Sequence, residues 1–97
     1  MRLVFVRGPY RGDVKNNILH AKLAASRLIA LGYSVIIPHL NTAYMDDEFE
    51  DRVFLDMYLE MLRRCDAIYM LHNWHKSVGS CGEYRLAKEL GLEIMYE

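Results

Sequence analysis

The sequence predicts an α/β fold: a small doubly wound, flavodoxin- or Rossmann-like three-layer sandwich built on a four-stranded parallel sheet. Three observations carry this. Four short β-rich runs alternate with three longer segments of helical periodicity. The β-rich runs are continuously apolar rather than alternating, as strands covered on both faces are. No repeat, linker or low-complexity stretch interrupts the 97 residues, so residues 1–97 read as one domain.

Residues 2–6, RLVFV, are the first strand, ending at Gly8-Pro9. Residues 14–31 follow with apolar side chains at helical spacing (Ile18, Leu19, Ala21, Leu23, Ala24, Leu28, Ile29, Leu31), stopped by Gly32. Residues 34–37, SVII, are the second strand, closed by Pro38 and a polar loop. A second helix spans 47–64, with acids at its start and Arg63-Arg64 at its end, as the helix dipole favours. The third strand is 67–71, AIYML. The loop HNWHKSVGSCG leads into a third helix over 82–90, stopped by Gly91, and 92–96, LEIMY, is the last strand.

Composition narrows function by exclusion. Net charge is −1 with acids and bases interspersed, which argues against binding a nucleic acid polymer, since that needs a basic face. No apolar run approaches a membrane span, and the N-terminus reads as a strand rather than a signal peptide. Cys65 and Cys81 lack framework spacing, as expected of free thiols in a reducing cytoplasm.

Ligands of doubly wound sheets bind beyond the carboxyl ends of the strands. That rule gathers RGPYRGD, PHLNTAYMDD, HNWHKSVGSCG and the chain end at one edge. In the first loop, Gly8 and Gly12 flank Pro9, Tyr10 and Arg11, with Arg7 just before. Glycines allow close backbone approach and arginines suit phosphate or carboxylate. In SVGSCG, hydroxyls and backbone N–H groups precede a helix, a natural anion site. Ser80 as N-cap with Glu83 three residues on fits a capping box equally well. His39, His72 and His75 share the edge, but the HNWH pair lacks a third ligand at a recognisable spacing, so no metal and no cofactor is expected.

The second helix is unusual. From Val53 to Leu62, eight of ten residues are apolar, and Asp56 and Glu60 are the exceptions. Such a helix predicts a homodimer or higher homo-oligomer through residues 47–64, with Leu55, Tyr58 and Leu59 in the contact. Asp56 ringed by apolar side chains would have a raised pKa and could act as a general acid.

Four segments in order, VFVRGPYRG, GYSVIIPHL, DMYLEMLRRCDAI and SVGSCGEYRLAKELG, together resemble the nucleoside 2-deoxyribosyltransferase-like superfamily. The nearest look-alikes are its short phage and bacterial members of unassigned function, and a related branch is the 2′-deoxynucleoside 5′-monophosphate N-hydrolases. The resemblance covers nearly the whole chain. It implies that Glu83 is a nucleophile attacking the anomeric carbon of a deoxyribose to give a glycosyl-enzyme. It implies that Asp56 protonates the departing base or positions the sugar. It places Ser77 and Gly79 at a phosphate, as in the hydrolase branch, and Gly8, Pro9, Tyr10, Arg11 and Gly12 around the substrate, while His39, at the same sheet edge, is a further substrate-binding candidate. Where many members carry a tyrosine that bonds the nucleophile, this chain has Phe5. The expected activity is cleavage or transfer at the N-glycosidic bond of a 2′-deoxynucleoside or its 5′-monophosphate. A non-catalytic nucleotide-sensing module with the same pocket is the alternative. Two carboxylates, one nucleophilic and one acidic, suit the oxocarbenium-like transition state of that chemistry.

Overall fold

In the computed structural model, which describes residues 1–97, four parallel strands stand in the order β2-β1-β3-β4. They are β1 (Leu3–Arg7), β2 (Ser34–Ile36), β3 (Ala67–Met70) and β4 (Glu93–Tyr96). The central pair is in register from Val4 opposite Ala67 to Arg7 opposite Met70. The chain winds outward from β1 to β2, then crosses back to β3 and β4, so the order reverses between β1 and β3. A crevice at that switch point is where this architecture places its ligands.

Helix α1 (Val14–Ala30) connects β1 to β2 and covers one sheet face alone. Asp13 caps its start by accepting from the Asn16 backbone N–H. Its contact stripe is small: Ala21, Ala24 and Ala25 are buried with Leu28 against Val4, Val6, Ala67 and Leu71. The short side chains let the helix backbone approach the sheet closely. The opposite face buries Phe5, Ile68 and Met70 under α3 (Asp51–Leu62) and α4 (Val78–Leu90), with Tyr58, Leu62 and Ala87 filling the layer. Removing side chains of this size from water contributes about 1.5–3 kcal/mol each. The alternation of side chains along β1 thus decides which helix each residue meets: Val4 and Val6 face α1, and Phe5 faces α3 and α4.

Three boundaries differ from expectation. The chain after β2 is not all loop: Pro38 sits at the first position of a one-turn helix, α2 (Pro38–Asn41), where its missing N–H costs nothing. Helix α3 starts at Asp51 rather than 47, because residues 46–49 are taken up in turns. Helix α4 starts at Val78 rather than 82, so the glycine-rich stretch is its first turn. Tyr58 also departs from its expected place in a dimer contact: it is buried in its own chain, and its hydroxyl donates to the Pro38 carbonyl at 3.1 Å. No helix is long and apolar enough to cross a membrane.

Candidate active site

Arg7 ends β1, two residues beyond Phe5 and therefore on the α3/α4 face. Glu83 stands in the second turn of α4, its side chain wholly buried. Arg7 Nε lies 2.6 Å from Glu83 Oε1, with the arginine side chain only 14% exposed. The Nε–H does not point along that contact, so Arg7 Nε and both Glu83 oxygens lack a directed hydrogen-bond partner. An enclosed carboxylate without directed donors is costly to ionise. Burial pushes its pKa up to about 7, and the charge of Arg7 opposes the rise without cancelling it.

The sequence placed Glu83 three residues after an N-cap at Ser80, where helix N–H groups would favour its ionised form. The structure puts the cap at Ser77, whose hydroxyl accepts from the Ser80 N–H at 3.2 Å. Glu83 is therefore beyond the first turn and its environment is set by burial instead. Ser80 is itself buried, with an unpartnered hydroxyl. Gly79 lies against the ion pair: a Cβ there would stand 2.9 Å from Arg7 Nη2 and 3.9 Å from Glu83 Oε1.

The loop after β1 is held from outside. Gly8 passes so close to β3 that a Cβ would meet Leu71 Cδ1 at 2.6 Å. The Pro9 carbonyl accepts from His39 Nε2 at 2.7 Å, and the carbonyls of Tyr10 and Arg11 accept from Asn17 Nδ2 at 3.0 and 3.1 Å. Three successive carbonyls are thus pinned. With Nε2 donating, His39 Nδ1 is left as a buried acceptor without a partner. Burial pushes the His39 pKa down to about 4, so the ring is neutral near pH 7. The Tyr10 hydroxyl donates to Asp46 Oδ2 at 2.7 Å, and burial with that bond pushes its pKa up to about 12. Arg11 pairs with Asp51 at the solvent-exposed start of α3.

The structure therefore brings Glu83, Gly79 and the Gly8–Gly12 loop to one sheet edge with Ser77 and His39. It leaves Asp56 apart, exposed on the outer face of α3, so its own chain does not supply the apolar enclosure expected around it. A surface groove of ≈ 420 Å³ between α3 and α4 is lined by Leu55, Leu59, Val78, Gly79 and Arg85 among others, and neither Glu83 nor Arg7 reaches it. Sequence reasoning did not select two residues. Arg7 was grouped with the loop, although an arginine closing a central strand must lie at the binding edge. Asn17 reads as an ordinary polar position in α1 and carries no sequence signal. Neither Tyr10 nor Tyr84 stands in for the tyrosine absent at Phe5: Tyr10 bonds Asp46 and Tyr84 meets the Tyr96 hydroxyl at 3.0 Å. Arg7 is the group facing Glu83.

A family model described as Domain of unknown function (DUF4406) matches residues 2–96. The chain belongs to that family. No curated protein matches the sequence of this DUF4406 member. Among solved structures it is similar to a 2-desoxiribosyltransferase from Leishmania mexicana, at 18% identity and a TM-score of 0.75, over 99% of this chain and 63% of that one. It is similar too to a 2-deoxyribosyltransferase from the psychrotolerant bacterium Bacillus psychrosaccharolyticus, at 17% identity and a TM-score of 0.78, over 97% of this chain and 70% of that one. The DUF4406 chain has the nucleoside 2-deoxyribosyltransferase-like fold and spans less than two thirds of the length of the first of these proteins.

Proposed function

We propose that the chain, acting as one domain over residues 1–97, cleaves or transfers at the N-glycosidic bond of a 2′-deoxynucleoside or its 5′-monophosphate. The observation that carries this reading is Glu83: a wholly buried carboxylate at the carboxyl edge of the sheet, with Oε2 unpartnered and a basic strand-end residue over Oε1. The deoxyribosyltransferase activity named for the two fold neighbours supports glycosyl transfer as the reaction class.

In this mechanism a Glu83 oxygen forms a bond to the anomeric carbon as the bond to the base nitrogen breaks. The electron pair leaves with the base, which takes up a proton. Water or a second base then displaces the carboxylate. The attack requires ionised Glu83, so a pKa of about 7 places the nucleophile at the edge of readiness in the free protein. Arg7 both restrains that pKa and covers the carboxylate. A substrate phosphate is a competing partner for its guanidinium, beside the capped start of α4, which favours the monophosphate over the nucleoside. Asp56, on the outer face of α3, joins the reaction as acid or sugar-positioning group when a second copy packs against that helix.

One observation favours the second reading, a nucleotide-sensing module without chemistry: Glu83 is closed off and neutralised by Arg7. Incubation with a panel of deoxynucleosides and their monophosphates, with released base read by chromatography, separates the two. The glycosidase reading expects base release by the wild type and none by Glu83→Ala that remains folded by circular dichroism. Ligand-induced stabilisation with no free base after prolonged incubation establishes the sensor, and equal turnover by Glu83→Ala removes Glu83 as nucleophile.

A further inference from the structure

His72 was paired in sequence with His75 as an HNWH candidate, but the fold gives it different neighbours. His72 follows β3, Glu97 follows β4, and His20 lies on α1, so three separate elements bring them to the carboxyl edge on the α1 side. His20 Nε2 is 2.8 Å from Glu97 Oε1, and His72 Nδ1 is also 2.8 Å from the same oxygen. One donor atom from each residue lies within 4.8 Å of the others, and the two imidazole centroids are 4.9 Å apart. Two imidazole nitrogens and a carboxylate thus converge on one point, in reach of solvent on the exposed side of His72.

We propose that His20, His72 and Glu97 bind a divalent ion of zinc-like preference. Two imidazoles and one carboxylate are the donors such ions select, and the remaining coordination positions are open to water. Donors around a tetrahedral zinc ion stand roughly 3.3 Å apart, so entry of the ion spreads the present 2.8 Å contacts by about half an ångström. The outer groups that orient a metal-binding carboxylate are already in place. The His72 backbone N–H donates to one lone pair of Glu97 Oε1 at 2.8 Å, and Arg27 Nη2 donates to Oε2 at 3.1 Å, which leaves the second lone pair of Oε1 for the ion. Without an ion, one carboxylate serves two imidazoles, a guanidinium and an amide at once.

Calorimetric titration of the full chain with Zn²⁺, and of its visible spectrum with Co²⁺, tests the site. The expected result is one saturable ion per chain, a d–d absorption band with Co²⁺, and a rise in Tm on Zn²⁺ addition. His72→Asn, at an exposed position that leaves the fold intact, and His20→Asn each weaken Zn²⁺ binding on the order of tenfold or more, as loss of a ligand must. His75→Asn and Cys81→Ser leave it unchanged. Absence of saturable binding by the wild type overturns the proposal. So does binding that survives His72→Asn, or that His75→Asn or Cys81→Ser removes, or Mg²⁺ binding as tight as Zn²⁺, which would mean oxygen ligands alone.

Discussion

The proposed reaction asks Glu83 to be both buried and charged, and those demands conflict. Its carboxyl moves from an ordinary 4.5 to about 7 on folding, so between those values the folded chain holds more proton than the unfolded one. Stability contributed by the protonated form is therefore complete below about 4.5 and is lost as pH rises towards 7, a total of about 3 kcal/mol. Glu83→Gln keeps the shape of the protonated acid and does not ionise. Melting curves across pH should show the variant level with the wild type near pH 4.5 and above it at pH 8. A difference that does not change with pH would mean that Glu83 does not titrate in this window. In the proposed reaction the same group would set activity. Base release, read as kcat/KM, should rise with pH and inflect near 7. Arg7→Met removes the charge that opposes the upward shift, so its inflection should move to higher pH while the monophosphate loses its advantage over the nucleoside. An unmoved inflection would detach Arg7 from the nucleophile.

At the level of the element, α4 shows how helix and site share residues. Gly79 and Gly82 both lie in its first turns, where glycine costs about 0.5–1 kcal/mol relative to alanine. A Cβ at Gly82 meets nothing within 4 Å, whereas one at Gly79 meets Arg7 Nη2 at 2.9 Å. Gly82→Ala should therefore raise Tm and leave base release intact. Gly79→Ala should keep its Tm, because the end of an arginine can swing away, but lose base release as Arg7 leaves Glu83. Equal activity in the two variants would show that the Arg7 position is irrelevant to turnover. This helix also marks where the sequence was readable. The alternation of apolar strands with periodic helices was enough to indicate a doubly wound sheet, because burial on both faces writes itself into composition. The start of α4 was not readable, since GSCG has poor helix propensity and the cap that starts the helix is Ser77 rather than Ser80. The Arg7–Glu83 pair and the His20–His72–Glu97 cluster were hidden for a different reason: their members are far apart in sequence, and strand order, which sequence pattern leaves open, is what joins them.

For the whole molecule, the outer face of α3 is exposed apolar surface. Val53 and Leu55 are exposed there, and the groove that Leu55 and Leu59 line continues onto α4, where Val78 is 92% exposed. Apolar surface of this kind, gathered beside one groove, is surface that a partner would cover. Two copies packed by α3 about a two-fold axis would cover it reciprocally, residue for residue. The same packing would bring Asp56 from open solvent to the boundary between the two copies, beside a neighbouring site. Oligomerisation and catalysis then become one question. Light scattering at micromolar concentration should give twice the 11.4 kDa chain mass, and Leu55→Asp should give a single-chain mass with unchanged circular dichroism. If the monomeric variant retains Glu83-dependent binding of the monophosphate but loses base release, the missing acid lies across the interface, and Asp56→Asn in the dimer should reproduce the loss. A wild type already monomeric at that concentration, or a Leu55→Asp monomer with full turnover, would mean that one copy contains the complete site and that Asp56 has no part in it.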